Sequence, residues 1–287
     1  MFQRAVTHAR SAVAWTLFLI AAAGLAPAAS LQSDIEYCNA GGVSLKMDAW
    51  VPDGKGPFPT VIIVHGGGWQ SGDKQKNYAP FFAPITKAGF AWFTVNYRLA
   101  PQFRYPAAVD DVVQAIRYIE THAREYKVDM KRIAITGESA GGHIVSLIGA
   151  RYADDLHLAA VVPFYPVNDF EAIVVGQDKT DGAVKAVSSF FGFTDPDDHA
   201  RKLMREGSPI TYVKKGMPPY LFVHGTADPL VNFRQSEAMC AKMKQAGAKC
   251  EIYPVEGAKH GMVGWENNPA FQGYKQKVPD WLKQVMR

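Results

Sequence analysis

The chain has 287 residues, of which 48% are hydrophobic and 20% are charged, a composition typical of a globular protein. This length is enough for one large domain with a sizeable core. The formal net charge is +4, and the lysines and arginines are scattered among acidic residues, which argues against a nucleic-acid partner.

The N-terminal segment has the pattern of a secretion signal. An apolar run at about 12–25 follows Arg4 and Arg10, and small residues follow it at 26–29. We therefore predict a signal peptide over 1–29 and a secreted or periplasmic mature protein. An uncleaved membrane anchor is the alternative, but the run is shorter than the roughly 18 apolar residues that a spanning helix needs. No later segment is long and apolar enough to insert stably in a membrane.

The early part, 35–38 and 43–51 around an Asn-Ala-Gly-Gly turn, predicts an antiparallel hairpin. Buried strands then alternate with helices. The predicted strands are 61–64, 91–95, 132–136, 159–164, 219–224 and 249–254, and the predicted helices are 106–121, 142–150 and 235–246. This alternation predicts a mostly parallel α/β sheet with helices on both faces. No repeat or linker divides the chain, so we expect one domain over 30–287.

The segment 168–215 interrupts this alternation, because a simple crossover between two strands needs far fewer residues. It mixes polar and aromatic residues, including Phe190, Phe191 and Phe193. We interpret it as a lid or cap insertion, and an elaborated crossover without a role at the site is the alternative. The three phenylalanines could line an acyl pocket, but core or lid packing explains them equally well.

Three cysteines in an oxidising compartment allow one disulfide bond and one free thiol. Cys240 and Cys250 flank a predicted helix end, a turn and the next strand. They are therefore the favoured pair, with Cys38 left over. Nearness in sequence does not establish the bond.

The motif G-x-S-x-G occupies 137–141, between the strand predicted to end at Thr136 and the helix predicted to begin near Gly142. Its glycines permit a sharp turn that holds the Ser139 hydroxyl clear of the sheet. The helix N-terminus beneath it favours developing negative charge. Matches to this motif alone are common, but at this junction it predicts that Ser139 is a nucleophile.

A serine nucleophile needs a base within hydrogen-bond reach, and the base needs a partner that fixes its tautomer. Where this motif occurs in an α/β sheet, the serine is followed by the acid and then by the histidine, each on a loop after a strand. Asp228 follows the predicted strand 219–224, and His260 follows the predicted strand 249–254. We predict that His260 is the general base and that Asp228 orients it.

Other histidines and aspartates compete for these two roles. The competing histidines are His122, His143, His157, His199 and His224. We expect each of them to be packed in the core or solvated. The competing aspartates lie in the 168–215 insertion and are expected to face solvent; they are Asp178, Asp181, Asp195, Asp197 and Asp198.

A run of glycines follows His65 at the end of the first buried strand. Such a run lets backbone N–H groups approach the oxyanion of a tetrahedral intermediate without a side-chain clash. We predict an oxyanion hole formed by Gly67, with Gly66 or Gly68, and by the N–H of Ala140.

Two other chemistries fit the sequence less well. Gly67 and Gly72 have the spacing of a phosphate-binding loop, but Asp73 and Lys74 follow where a lysine and then a serine or threonine are required. The chain contains no H-E-x-x-H and no Cys-x-x-Cys motif, so we expect no metal and no cofactor.

Five ordered motifs resemble the esterase and lipase family related to hormone-sensitive lipase. They are His65-Gly-Gly-Gly-Trp69 with Gly72-Asp73, Asn96-Tyr-Arg-Leu-Ala-Pro101, Gly137-Glu-Ser-Ala-Gly-Gly-His143, His224-Gly-Thr-Ala-Asp-Pro229 and His260-Gly261. Within that family they are most similar to secreted feruloyl and acetyl esterases with an HGGGW motif. The resemblance extends over about 35–282.

This resemblance implies the α/β-hydrolase fold and the hydrolysis of short-chain or aromatic acyl esters, of the acetyl or feruloyl type, on a small molecule or a polysaccharide. It also implies the same catalytic serine, aspartate and histidine. Only about 35 residues precede His65 in the predicted mature chain, too few for the N-terminal helical cap of the lipase-like branch, which predicts an open site. An amidase similar to arylformamidases and a catalytically silent binding protein are the alternatives. The sequence does not indicate an oligomeric state.

Overall fold

The computed structural model describes residues 30–75 and 79–287. The predicted signal peptide, 1–29, lies outside the described residues and stays a prediction. Within the described part, no helix combines the length and the hydrophobicity needed to cross a bilayer.

Strands and helices alternate along most of the chain. The strands are β1 (Ser30–Ala40), β2 (Val43–Val51), β3 (Phe58–Val64), β4 (Ala91–Val95), β5 (Val128–Glu138), β6 (Leu158–Phe164), β7 (Tyr220–Gly225) and β8 (Cys250–Val255). The helices are α1 (Ala79–Lys87), α2 (Ala107–Thr121), α3 (Ala140–Arg151), α4 (Phe170–Val174), α5 (Asp181–Phe191), α6 (Asp198–Gly207), α7 (Arg234–Gln245), α8 (Met262–Trp265) and α9 (Tyr274–Val285).

The strands form one sheet in the order β1-β2-β4-β3-β5-β6-β7-β8. β1, β2 and β4 are joined by antiparallel pairing, and all pairs from β4 to β8 are parallel. The predicted hairpin and the mostly parallel sheet are thereby confirmed. Because β3, β5, β7 and β8 run in the same direction, the loops that follow them meet at one edge of the sheet.

Two hydrophobic cores cover the two faces of the sheet. Successive residues of β3 point to opposite faces, so that Ile62 and Val64 join the core beneath α2, α3 and α7, whereas Val61 and Ile63 join the core beneath α1 and α9. The central strands are buried on both sides, as expected for a parallel sheet between two helical layers.

The 168–215 segment contains α4, α5 and α6 and a short 3-10 helix, Pro209–Tyr212. Phe190 and Phe191 are buried, and Phe193 is half-buried against the core. The segment therefore packs on the α2 and α3 side of the sheet through its aromatic residues.

Cys240 in α7 and Cys250 at the start of β8 form a disulfide bond, with a Cα–Cα distance of 5.5 Å. The favoured pairing is thus observed, and Cys38 is free and half-buried in β1. The bond ties α7 to the strand that precedes the loop of His260.

Candidate active site

Ser139 lies at a sharp turn between β5, which ends at Glu138, and α3, which begins at Ala140. Its φ of 53° is unusual for a residue with a side chain, and such strain is typical of functional turns. The Ser139 N–H donates to the carbonyl of Phe164 over 2.9 Å, and the Ser139 carbonyl accepts from the N–H of His143. Both bonds hold the strained turn in place.

Two glycines of the motif are required by close backbone approach. A Cβ atom on Gly137 would lie less than 3.0 Å from the Gly141 carbonyl oxygen, and a Cβ atom on Gly141 would lie less than 3.0 Å from the carbonyl oxygen of Val64. Within the turn, Gly141 therefore packs closely against Gly137 and against Val64 at the end of β3. Any larger side chain at either position would push Ser139 out of place.

His260 lies between Ser139 and Asp228, which are supplied by two other loops at the same edge of the sheet. Its Nε2 lies 2.9 Å from Ser139 Oγ, and its Nδ1 lies 2.6 Å from Asp228 Oδ2. The Tyr165 ring contacts the imidazole edge-on at a centroid distance of 4.6 Å. The backbone N–H of Ala227 donates to the Ala258 carbonyl, which joins the two loops directly.

Asp228 is almost completely buried and carries several hydrogen bonds. Burial by itself would raise its pKa, but hydrogen bonds from His224 and His260, the charge of His260 and the N–H of Val231 together hold the pKa well below its ordinary value. Its other oxygen accepts from the N–H groups of Leu230 and Val231, each over 2.9 Å. Asp228 is therefore suited to remain ionised and to bind a protonated imidazole.

The glycine loop after β3 passes beside Ser139. Gly67 and Gly68 have φ values of 107° and 60°, and both line a cleft together with Ser139. Within the described residues, the N–H groups of these two glycines donate to no other protein atom. Ala140 is the first residue of α3, so its N–H has no partner inside the helix. These three groups are available to bind an oxyanion.

Gly66, the fourth residue predicted for the oxyanion hole, does not line this cleft. Its carbonyl accepts hydrogen bonds from His65 Nδ1 and from the hydroxyl of Tyr97. A Cβ atom on Gly66 would overlap the Glu138 carboxylate, so this glycine is needed for packing behind the loop.

A buried network connects the glycine loop to α3 and to the 168–215 segment. The indole N–H of Trp69 donates to His143 Nδ1 over 3.1 Å, and His143 Nε2 donates to the carbonyl of Gly207 over 2.9 Å. The Trp69 ring also stacks on Phe190 of α5 at a centroid distance of 4.6 Å. Burial lowers the pKa of His143 to about 4, in agreement with the neutral tautomer that these bonds require.

Ion pairs brace the segments on either side of the glycine loop. Lys74, which is buried, pairs with Asp48 at 2.8 Å and with Asp34 at 3.1 Å, and so ties the segment after the loop to β1 and β2. Arg98 binds both carboxylate oxygens of Asp111 in α2. Of these residues, only Arg98 belongs to one of the five motifs, and only the contacts show that these ion pairs brace the loop.

Two cavities adjoin Ser139. The outer cleft has a volume of about 400 Å³, and its walls include Ser139, His260 and Val263. The inner cavity, of about 70 Å³, lies on the other side and is lined by apolar residues of α5 and of the Asp228 loop. Leu230 borders both cavities, as do Gly68 and Ser139.

The competing histidines lie in other surroundings. His224 is buried with its Nδ1 2.8 Å from Ser236 Oγ and its Nε2 2.9 Å from the Val231 carbonyl, so it supports the loop of Asp228. His122 and His157 contact neighbouring groups in and after α2, and His199 is exposed in α6. None of these lies between Ser139 and Asp228.

One expectation about the insertion was wrong. Asp178 does not face solvent: it is buried and accepts a hydrogen bond from the side chain of Gln235 over 2.7 Å. Gln235 also accepts from the N–H groups of Asn168 and Asp169, so it links α7 to the start of the insertion. The other four competing aspartates, Asp181, Asp195, Asp197 and Asp198, are exposed. In the described part of the chain, no group of three or more acidic, histidine or cysteine side chains could hold a metal ion.

Comparison with known protein families and curated proteins finds one family model and several ester hydrolases. The BD-FAE family model matches residues 47–243 of this chain. Carboxylesterase NlhH of Mycobacterium tuberculosis is 38% identical over 231 residues, which cover 75% of this chain and 70% of that protein. The probable carboxylic ester hydrolase LipM of the same organism is 28% identical over 233 residues, and these cover 77% of this chain. The chain spans about half the length of LipM, 53%.

Solved structures share the fold. A truncated carbohydrate esterase from gut microbiota superposes with a TM-score of 0.78 and 26% identity, covering 92% of this chain and 98% of that one. Esterase 2 of Thermogutta terrifontis with bound propionate superposes with a TM-score of 0.72 and 26% identity, covering 90% of this chain and 95% of that one. The mostly parallel sheet is thus the sheet of α/β-hydrolase esterases.

Proposed function

Because the chain belongs to the BD-FAE family, we propose that it is a carboxylic ester hydrolase in which Ser139, His260 and Asp228 form the catalytic triad. The observation that carries the proposal is the pair of contacts made by His260, 2.9 Å to the Ser139 hydroxyl and 2.6 Å to the Asp228 carboxylate. The named ester hydrolases among its relatives support the same chemistry.

In the first half of the proposed reaction, Ser139 Oγ attacks the ester carbonyl carbon while His260 Nε2 accepts the hydroxyl proton. The negative charge on the carbonyl oxygen is bound by the N–H groups of Gly67, Gly68 and Ala140. The tetrahedral intermediate then collapses, the alcohol leaves with the proton from His260, and the acyl group stays on Ser139.

In the second half, a water molecule takes the place of the alcohol. His260 removes a proton from this water, whose oxygen attacks the acyl carbon, and the second intermediate releases the acid and returns the proton to Ser139. Asp228 keeps Nδ1 of His260 protonated and stabilises the imidazolium that forms in both halves.

The proposed acyl group is short. A group bonded to Ser139 Oγ and pointing away from His260 would enter the inner cavity of about 70 Å³. The walls of this cavity include Ala183, Ala186 and Val187 of α5, so it accepts a small aliphatic chain without polar contacts. The esterase 2 structure with bound propionate supports this reading by analogy. The bulkier feruloyl group fits this cavity less well.

We also propose export of the mature chain, on the strength of the apolar run at 12–25 and the small residues that follow it. The Cys240–Cys250 disulfide agrees with an oxidising compartment. Mass spectrometry of protein recovered from the periplasm and from the medium would give the N-terminus, and an intact Met1 in the mature protein would contradict export by cleavage.

The experiment that tests the proposed function is hydrolysis of p-nitrophenyl esters from acetate to palmitate, together with methyl ferulate and an aryl amide. We expect turnover that is greatest on short acyl chains and is lost in Ser139→Ala. Ser33→Ala is the matched control, because Ser33 is exposed in β1. A well-folded protein that hydrolyses the amide but no ester would favour an amidase, and one that hydrolyses neither would contradict the proposal.

A further inference from the structure

The outer cleft must receive the alcohol part of an ester, if the proposed function is correct. His260 has to hand its proton to the departing alcohol oxygen, so that oxygen leaves on the side of Ser139 where His260 lies. The outer cleft contains His260 in its wall, whereas the inner cavity does not. The properties of the outer cleft therefore decide which alcohol the protein recognises.

Apolar side chains dominate the outer cleft beyond the reacting groups. Its apolar lining includes Leu230, from the loop of Asp228, and Met262 and Val263, at the start of α8. Val263 is 55% exposed and stands at the rim, directly after the loop of His260. An alcohol leaving Ser139 would therefore pass along an aliphatic surface.

The polar side chains of this cleft are occupied by the protein itself. The Tyr165 hydroxyl accepts the N–H of Met262 over 2.9 Å, and its ring is fully buried. Glu138 is 6% exposed and packs against Gly66 behind the glycine loop. A sugar ring would lose bound water from several hydroxyl groups in this cleft. The described lining offers neither free hydrogen-bonding side chains to replace that water nor an exposed aromatic ring on which the sugar could stack.

We propose that the preferred substrates are esters of a short acid with an apolar alcohol, such as an arylalkyl or branched alkyl alcohol, and that Val263 and Leu230 bind this alcohol. Burial of an apolar alcohol against these side chains lowers the free energy of the transition state, whereas a sugar gains little from the same surface. The alcohol side thus selects a small hydrophobic ester over an acetylated polysaccharide.

Three acetates test this preference with the acyl group held constant. Benzyl acetate and 6-O-acetylglucose both release a primary alcohol, and ethyl acetate measures the basal reaction. We expect kcat/KM for benzyl acetate to exceed that for 6-O-acetylglucose by at least tenfold. We also expect Val263→Asn to lower the ratio of kcat/KM for benzyl acetate to that for ethyl acetate by about threefold to tenfold.

Val175→Asn is the matched control, because Val175 is another exposed valine, 47% exposed, at the end of α4. It should leave the benzyl to ethyl ratio unchanged. Turnover of ethyl acetate with equal rates on benzyl acetate and 6-O-acetylglucose, or an unchanged ratio in Val263→Asn, would overturn the alcohol preference alone. Absence of turnover on all three acetates would overturn the proposed function and the preference with it.

Discussion

Trp69 donates its indole N–H to Nδ1 of His143 over 3.1 Å, although the two residues are 74 positions apart in the chain. Trp69 ends the glycine loop, and its carbonyl is bound by the N–H of Ala100. His143 lies one turn after Ser139 in α3 and donates in turn to Gly207 at the end of α6. The loop that carries the oxyanion donors is thus tied to the helix that follows the nucleophile.

Trp69→Phe should lower kcat by about tenfold, less than the 10²–10³-fold typical when an oxyanion donor is itself removed. The ring remains, but the lost N–H leaves His143 Nδ1 without its donor and loosens the loop. KM should change little, because the oxyanion forms only in the transition state. Steady-state kinetics on p-nitrophenyl acetate measures both constants. Trp50→Phe, on β2, is the control, and a Trp69→Phe variant with unchanged kcat but lower thermal stability would limit the bond to a structural role.

Stability should fall as the pH is lowered from about 6.5 towards 4. Burial lowers the pKa of both His65 and His143 to about 4, whereas histidine in an unfolded chain titrates near 6.5. Between these values the unfolded chain binds more protons, so the free energy of unfolding decreases with decreasing pH, by about 2 kcal/mol for each histidine at pH 5. Above about pH 7 both are neutral in both states and contribute no slope.

Urea unfolding at pH 7.5, 6 and 5 measures this effect. His143→Gln should reduce the loss between pH 7.5 and 5 by about half, because the variant lacks one of the two titrating groups. The lowered pKa of Asp228 does not change the free energy of unfolding between pH 7.5 and 5. Its stabilising effect is lost only at lower pH, where the carboxylate of the unfolded chain takes up a proton. Equal free energies of unfolding at all three pH values would contradict a lowered pKa for His65 and His143 in the folded protein.

Ala186→Leu should reduce the length of the acyl chain that the protein hydrolyses efficiently. Ala186 lines the inner cavity from α5, and three further carbon atoms would fill much of its 70 Å³. We expect kcat/KM for p-nitrophenyl butyrate to fall at least tenfold relative to that for the acetate. Lys185→Leu adds the same side chain on the exposed side of α5 and should leave the ratio as it is. An unchanged chain-length profile in Ala186→Leu would place the acyl group outside this cavity.

Gly141→Ala should prevent the formation of the turn at Ser139. The added methyl group would lie less than 3.0 Å from the carbonyl oxygens of both Val64 and His65, which belong to rigid backbone. We expect a loss of about 3 kcal/mol or more in the free energy of unfolding, together with loss of activity. Gly264→Ala is the control, because the new methyl group would meet no atom within 4 Å beyond its chain neighbours and the backbone of its own helix. This variant should unfold like the parent protein in the same denaturant titration.

The alternation of strands and helices could be predicted because local patterns determine it. Strand β4 was predicted at its observed bounds, because a short apolar run between turn signals is typical of a strand buried on both faces of a sheet. Helices α1 and α9 were not predicted, although their side chains form a large part of the core on one face of the sheet. Each contains an internal proline, Pro84 or Pro279, and proline interrupts the usual helical signal.

The sequence by itself determined the order of Ser139, Asp228 and His260, because each follows a strand of a parallel sheet and the ends of such strands meet at one edge. Only the tertiary structure decided which glycines reach the cleft, since Gly66 and Gly67 differ by a single position and face different neighbours. The tertiary structure also decided that Asp178 is buried and bonded to Gln235, and that Leu230 borders both cavities beside Ser139. These contacts join residues far apart in the chain, and no local pattern encodes their distances.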